Sequence, residues 1–432
     1  MSDVFYKLED TPPLKLLIIL GIQHVLAMFV GLITPPIIIA ATLGISTEDK
    51  AFLISMALIA SGITTFMQVK RWGPLGSGLL GVQGTSFTFV PAAISTGLAG
   101  GIPLICGMTI AAAPVELLLS RFVKRAGKIF PPVVMGTVVM LIGLSLIRVG
   151  ITDLVGGIGS EDFGSIHNIL LGLFVLIIII IINQFTNGIL RVGAVGIGLL
   201  AGYIVSALLG SIDFSPISEA GWITIPVPLK YGIKFDFAYI LPWIFAYLVS
   251  SIETMGDLTA SAQNSGEKVD TPLHTERLSG GLVADALGSM LAGFLNSMPN
   301  TTFSQNNGVI LVTKAGARRI GYAAGTILII LGLVPKFSAI ISVMPRSVLG
   351  GATIALFGFV AISGLKIIMS QGLTDRNLFI LSISLALGLG IIYEPSVLDQ
   401  LPETLKKIFS SGMVTGGMTS VILNLVIPED RS

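Results

Sequence analysis

The sequence predicts an all-α polytopic membrane protein, with about fourteen transmembrane segments in two inverted repeats of seven. Three observations lead there. The 432 residues are 53% hydrophobic and 11% charged, against about 25% charged in soluble globular proteins, and mean hydropathy is +0.91. Apolar runs such as "LLGLFVLIIIIII" (170–182) recur along the chain within segments of about 20 residues, each long enough to cross a bilayer as a helix. The chain also repeats itself at about half its length, with a short polar segment at the same place in each half.

Read against Gly, Pro and charged breaks, the segments fall near 14–34, 50–69, 79–97, 101–123, 131–150, 166–186, 192–210, 237–259, 276–295, 301–313, 318–335, 347–369, 376–393 and 412–428. No cleavable leader is expected, because "MSDVFYKLEDTPP" is charged and polar. Basic residues in short loops favour the cytoplasmic side. With both termini inside, the inner loops of the first half hold Lys70, Arg71, Arg121, Lys124, Arg125, Lys128 and Arg191, and the outer ones only Lys50 and Arg148. The second half is less clean, since Lys336, Arg346, Lys406 and Lys407 fall outside.

The repeat is visible in "FPPVVMGTVVMLIGLSLI" (130–147) and "MPRSVLGGATIALFGFVAISG" (344–364), where Pro131 to Gly136 matches Pro345 to Gly350 at an offset of 214 residues. Seven is odd, so two such copies have opposite topology, the arrangement of many secondary transporters. Segments 79–97 and 301–313, each the third of its seven, are short, Gly-containing and polar. Interrupted segments at matching positions point to a transport site near the membrane midplane.

"LLGVQGTSFTFVPA" (79–92) and "NTTFSQNNGVILVT" (300–313) read as a short extended piece leading into a half-helix. Such backbone must be buried in protein or line a cavity. Gly81 and Gly84 permit close backbone approach, and Thr85, Ser86, Thr301 and Thr302 are candidate helix caps. Two facing half-helix N-termini would offer N–H groups to a polar ligand. The amides of Gln305 and Asn306 each present a donor and an acceptor, a pattern suited to a flat heterocycle with alternating C=O and N–H edges. The competing reading is that these amides join helices by hydrogen bonds.

Charged groups within membrane segments are costly and are functional candidates. Glu253 and Asp257 share one helix face at i and i+4; Asp285 sits within "SGGLVADALGSMLAG", and His24 at mid-depth in the first segment. Desolvation favours the neutral form of a carboxyl, so a buried Glu or Asp can take up a proton near neutral pH. His24 either touches a ligand or is a satisfied structural histidine, and Asp257 either joins the site or braces its helix. Glu116 and Arg148, near segment ends, are expected to snorkel to the interface. His167 and His274 fall in expected loops without a role. Cys106 excludes an internal disulfide, net charge +1 gives no reason for a nucleic-acid partner, and no HExxH pair, Cys/His metal cluster or Ser/His arrangement is present.

"QNNGVILVTK" (305–314) resembles the signature of the nucleobase–ascorbate transporters: Gln, Glu or Pro, then Asn, any residue, Gly, four of any type, Thr, and a basic residue or Gly. Gln305, Asn306, Gly308, Thr313 and Lys314 fill every fixed position. "GIQHVLAMFV" (21–30), "QGTSFTF" (83–89), "SIETMGDLTA" (251–260) and "GGLVADALGSM" (280–290) are similar to the family in order along the chain. "FYKLEDTPP" resembles the bacterial xanthine and uric acid permeases.

The resemblance implies fourteen segments in inverted repeats 1–212 and 213–432, divided between a core domain (about 14–123 and 237–335) and a gate domain (about 130–210 and 347–428). It implies a homodimer in the plasma membrane, importing a purine with protons. No cofactor is expected beyond that coupling ion, with sodium left open. By resemblance Glu253 binds substrate N–H groups, Gln305 holds the other edge, Phe87 stacks, and the backbone at Ser304 approaches the ring, with His24 in support. Asp285 is the coupling carboxylate, in a network with Asp257 and Asn306. Uracil carriers tend to have Glu in place of Gln305. Xanthine-selective relatives tend to have Asn in place of Ser86, so the resemblance favours uric acid, with xanthine second. An inorganic-anion carrier of related fold is the rival, although three membrane carboxylates disfavour it.

Overall fold

No water reaches a bare amide in hydrocarbon, so spanning chain must be helical or enclosed by protein. The computed structural model describes residues 5–123, 131–269, 271–370 and 372–428. Lys124, Arg125, Lys128 and Phe130, which enter the loop and repeat readings, lie outside these.

Helix α1 (Leu14–Thr42) runs eight residues past its expected end, through Pro35 and Pro36. A proline removes one helical hydrogen bond. The carbonyl freed four residues before Pro36, that of Leu32, accepts a hydrogen bond from the Thr85 hydroxyl instead. Helix α2 (Thr47–Val69) is capped by Ser46, whose Oγ accepts from Asp49 N at 3.1 Å. Strand β1 (Gln83–Thr85) leads through a single turn (Phe87–Phe89) into α3 (Val90–Ala112), followed by α4 (Pro114–Arg121). Helix α3 breaks at Gly101, where φ 71° and ψ −168° divide the expected third and fourth segments.

Helices α5 (Pro132–Leu154), α6 (Ile166–Phe185) and α7 (Ala194–Leu208) complete the first half. The second contains α8 (Ile240–Asn264), α9 (Pro272–Phe294), β2 (Asn300–Thr302), α10 (Gln305–Thr313), α11 (Arg319–Gly332), α12 (Pro335–Ser342), α13 (Arg346–Met369), α14 (Asp375–Tyr393) and α15 (Gly412–Val426). Among the described residues, eight helical stretches are long and apolar enough to cross a membrane, or nine if α11 and α12, bent by 77°, form one span. That count does not reproduce the expected fourteen. The third and tenth segments are strand plus half-helix, α7 and α15 have 15 residues each, and α9 carries Glu276, Arg277 and Asp285.

The glycine contacts of α5 and α13 show how the halves are related. A Cβ at Gly350 would lie 2.0 Å from Leu154 N, and one at Gly136 would lie 2.5 Å from Ile368 Cγ1. Shifting both partners of the first contact by 214 residues gives the second. Gly150 against Ile354 (3.0 Å) and Gly364 against Met140 N (2.4 Å) form another such pair. Gly143 meets the carbonyl of Phe357, its own counterpart 214 residues on, at 2.7 Å. These contacts follow a local two-fold relation, and small residues let the two backbones approach. One buried apolar cluster joins α1, α2 and α11 to α6, α7 and α13; another joins α3 and α8 to α5, α13 and α15.

Three expected placements are corrected. Glu116 is fully buried on α4, where its Oε1 accepts from Ser251 Oγ at 3.2 Å, because α4 packs under α8 and α9 and leaves no route to the interface. His274 is a buried residue in the first turn of α9, 3.1 Å from Thr259 Oγ1, because Thr271 caps the helix four residues before its expected start. His167 likewise lies in the first turn of α6, its ring 3.1 Å from Ser211 Oγ. Arg148 is exposed.

Candidate functional site

The amide and hydroxyl groups of the two polar segments serve the backbone first. Strands β1 and β2 pair antiparallel, Gln83 with Thr302, Gly84 with Thr301 and Thr85 with Asn300. A ladder this short leaves buried polar groups needing other partners. Gln83 N donates to Thr65 Oγ1 (2.9 Å), Gln83 Nε2 to Thr302 Oγ1 (2.9 Å), Asn300 N to Ser289 Oγ (3.0 Å) and Asn300 Nδ2 to Thr64 Oγ1 (2.9 Å). Gly84 has no room for a side chain: a Cβ there would stand 2.6 Å from Phe303 and 2.7 Å from Met28. Of the expected caps only Ser86 caps, accepting from Thr88 N at 3.2 Å. Thr85, Thr301 and Thr302 belong to the strands, and Ser304 holds the N-terminal position of α10.

Both half-helix N-termini border one cavity of about 850 Å³. Ser86 and Phe87 line it from one side, Ser304 and Gln305 from the other, and Glu253 and Asp257 of α8 lie in its wall. The ring of Phe87 stands edge-on to Phe357 of α13 at 5.6 Å. Glu253 Oε2 accepts from Thr88 Oγ1 at 3.0 Å. Asn307 Nδ2 donates to Asp257, 3.2 Å from its carbonyl and 3.4 Å from Oδ1. The i, i+4 spacing thus puts both carboxylates on the cavity, with a different arm holding each.

His24, Asp285 and Asn306 do not border this cavity. His24 is fully buried in α1, and Asn306 turns towards α1, its Nδ2 3.8 Å from Met28 Sδ. Asp285 is fully buried on α9; Oδ2 accepts from the Thr254 hydroxyl, and Thr254 Oγ1 lies 3.2 Å from Thr301 Oγ1 on β2. The signature motif therefore divides by helix face. Gln305 and Gly308, three apart, line the cavity, while Asn306 and Asn307 face the helices on either side. Lys314 ends α10 in the left-handed conformation at φ 54°, which accounts for a position that accepts glycine.

The sequence reading missed Thr88, Thr254 and Gln83 and gave Asn307 no role. Thr88 stands in the quoted "QGTSFTF", and Thr254 lies one residue from Glu253; neighbourhood to a membrane carboxylate was the available signal. Arg191, Lys366 and Ser370 also line the cavity. Outside the cavity lining, Lys50 Nζ donates to Ser342 O (3.0 Å) and Arg346 Nη2 to Ala41 O (3.4 Å), tying α1 and α2 to the α12–α13 region. Among the described residues no group of three or more His, Cys, Asp and Glu side chains is placed to hold a metal.

Half-helices, paired strands and a cavity with carboxylate and amide groups in its wall, within an apolar helical protein, define a multi-pass membrane transporter. Residues 15–397 match the model of a permease family. The chain is 40% identical to xanthine permease XanP of Escherichia coli (strain K12), covering 100% of this chain and 96% of that protein. Xanthine permease XanQ of the same organism is 39% identical, over 99% and 94% of the two chains. The nucleobase transporter PlUacP of Paenibacillus larvae is 37% identical, over 95% and 94%. The chain belongs to the nucleobase–ascorbate transporter family of permeases.

Solved structures agree on the fold. The transmembrane domain of the cyanobacterial bicarbonate transporter BicA aligns with a TM-score of 0.57 at 12% identity, over 95% of this chain and 96% of that one. Murine Slc26a9, an anion transporter in its inward-facing state, aligns with a TM-score of 0.66 at 12% identity, over 97% and 69%. They share the inverted-repeat fold of core and gate.

Proposed function

We propose that the protein imports an oxidised purine, uric acid or xanthine, by proton symport across the plasma membrane. The observation that carries the reading is the meeting of Glu253, held by Thr88, and the Gln305 amide on one cavity between two half-helix N-termini. The carboxylate accepts from ring N–H groups. The glutamine amide donates to a ring carbonyl and accepts from the adjacent N–H, and Phe87 offers a face or edge to the ring. The names of XanP and XanQ support this substrate class. Two carboxylates on the cavity wall suit an N–H-rich ligand better than an inorganic anion.

The rest of the reading is as follows. Residues 14–123 and 237–335 form the core domain and 130–210 and 347–428 the gate, in repeats 1–212 and 213–432. Two copies form a homodimer, with both termini in the cytoplasm. In that orientation the cavity wall at Arg191 and Lys366 lies towards the inside, and the Lys50 and Arg346 contacts lie on the outer side. Asp285, with Asp257 and Asn306, carries the coupling, and His24 supports the site from α1.

Counterflow of labelled xanthine and uric acid in proteoliposomes tests the reading, with unlabelled uric acid, xanthine, uracil and adenine as competitors. Uric acid and xanthine are expected to compete. Adenine lacks the carbonyls and leaves buried groups unpaired. Inhibition by uracil alone sinks the purine assignment. Uptake driven by sodium in the absence of a pH gradient replaces the coupling ion.

A further inference from the structure

Residues 5–10, ahead of α1, run beside the chain that leaves α10. Tyr6 and Ala315 pair in parallel. Phe5 N donates to Lys314 O at 2.9 Å, Gly316 N to Tyr6 O at 2.8 Å and Arg318 N to Leu8 O at 3.0 Å. A turn then closes the segment: Asp10 N donates to Lys7 O at 3.1 Å and Lys7 N to Asp10 Oδ2 at 2.7 Å. The two residues within that turn are used differently. Glu9 pairs with Arg318 at 2.6 Å, whereas Leu8 is only 1% exposed. Leu8 is seated in a buried apolar cluster with Leu79, Leu258 and Ala262. Leu79 lies four residues before Gln83 of β1, and Leu258 follows Asp257 on α8. The leucine side chain therefore packs where the chain enters the first arm and where α8 passes the cavity carboxylates. Its backbone holds the chain leaving the second arm.

Helix α10 has nine residues, fewer than an isolated helix needs to hold itself, so its ends decide where it sits. At its N-terminal end β2 pairs with β1, and Phe303 N donates to Val82 O at 3.0 Å. At the other end Lys314 turns the chain in the left-handed conformation. The Lys314 carbonyl accepts from Phe5, its Nζ stands 5.6 Å from the centre of the Phe5 ring, and Gly316 O accepts from Ser265 Oγ at 3.3 Å. A helix of this length is a rigid rod of about 13.5 Å. Displacement of its Lys314 end is therefore carried to Gln305 at the cavity.

We propose that residues 5–9 form a strap that sets the position of α10, and that Leu8 is a positioning residue for the Gln305 amide. The proposal rests on the reading of Gln305 as a substrate contact. Burial of one leucine side chain is a large enough gain to dock so short a segment, and the parallel pairing fixes its register on residues 314–318. With the strap undocked, the second arm keeps its strand pairing but loses the tie at the far end of its half-helix. Gln305 is then poorly aimed, while Glu253, held by the first arm, stays in place.

The test measures the half-saturating concentration and the maximum rate of counterflow in proteoliposomes, with xanthine or uric acid, whichever the wild type carries. Leu8→Asp, which places a charge in the apolar seat, is expected to raise the half-saturating concentration by about threefold to tenfold, the range of one amide's hydrogen bonding. The maximum rate per inserted molecule should stay within about twofold, and Leu8→Met, a swap of similar volume, should behave as wild type. A purely structural defect lowers the number of active molecules, and with it the maximum rate alone; that result overturns the proposal. Gln305→Ala is expected to weaken binding by a similar factor, and the Leu8→Asp/Gln305→Ala double variant no further, because the strap acts through Gln305. Losses that multiply in the double variant overturn the proposal. Should Leu8→Asp fail to insert, Leu8→Ala enters the same cycle, and an unchanged half-saturating concentration overturns it. An unchanged value for Gln305→Ala alone removes Gln305 from the site and the strap's role with it, a failure distinguishable from that of Leu8.

Discussion

The two strand–half-helix arms occupy corresponding places in the two halves, but they are chemically unlike. The first, Gln83–Phe89, lines the cavity with three hydroxyl residues, Thr85, Ser86 and Thr88, and the ring of Phe87, with Ser86 capping its helix. The second, Asn300–Thr313, lines it with Thr301, Thr302, Phe303, Ser304 and the amide of Gln305, while Asn306 and Asn307 turn to the neighbouring helices. Each arm takes charge of one carboxylate of α8: Thr88 of the first holds Glu253, and Asn307 of the second holds Asp257. A repeated scaffold thus supplies the geometry twice, while the side chains that differ between the copies make one ligand fit in one orientation. This asymmetry can be broken from either side.

The largest effect is expected where both arms converge. Glu253→Gln removes the charged acceptor that the cavity directs at ring N–H groups, and it leaves Thr88 donating to a neutral oxygen. Transport is expected to fall by about tenfold to a hundredfold, in line with hydrogen bonds to charged groups of about 1.5–3 kcal/mol. Insertion and thermal stability in detergent should stay near wild type. Normal uptake removes Glu253 from the site.

Thr88→Val then separates the first arm's contribution from the carboxylate itself. Valine keeps the shape and deletes only the hydroxyl that donates to Glu253 Oε2 at 3.0 Å. A fall of about tenfold in affinity is expected, which is about 1.4 kcal/mol, measured by substrate-dependent stabilisation. An unchanged affinity means that Glu253 orients itself without the first arm.

Asn307→Ala is the matching cut in the second arm. Its amide contacts to Asp257, at 3.2 and 3.4 Å, are longer than the Thr88 bond. A threefold to tenfold loss of uptake is expected, about 0.7–1.4 kcal/mol. A loss larger than that of Thr88→Val would invert the ranking and make Asp257 the dominant carboxylate.

How far this site could be read in the sequence follows the same division. The paired carboxylates on α8, the two polar segments and the Gln305 face of α10 were legible because spacing along one helix fixes which side chains share a face. The repeat was legible from Pro131 and Pro345. What escaped depends on contacts across elements. Thr88 reaches Glu253 over a separation of 165 residues, and Glu116 meets Ser251 over 135. Glu116 was misplaced because a short helix end looks alike whether it meets lipid headgroups or packs beneath two others. The passage of α1 through Pro35 and Pro36 was hidden for a similar reason: its freed carbonyl is satisfied by Thr85, far along the chain.

The smallest effect, and the sharpest test of how the first arm selects its ligand, is expected at Ser86. Its Oγ accepts from Thr88 N at 3.2 Å, and its side chain also faces the cavity. Asparagine is as good a helix cap as serine, so Ser86→Asn can keep the start of the half-helix while adding bulk on the cavity side. The arm's geometry and the Thr88 contact to Glu253 are therefore expected to persist, and any change in preference reports volume. Uric acid carries an oxygen at C8 that xanthine lacks, and the added bulk should crowd it. Relative inhibition by the two purines is expected to shift towards xanthine by about threefold to tenfold, the range of a single crowded group at about 1 kcal/mol. An equal fall for both purines would show that the cap was lost after all. No change for either would place the C8 edge against a different wall, with Gln305 and Ser304 of the second arm the next positions to vary.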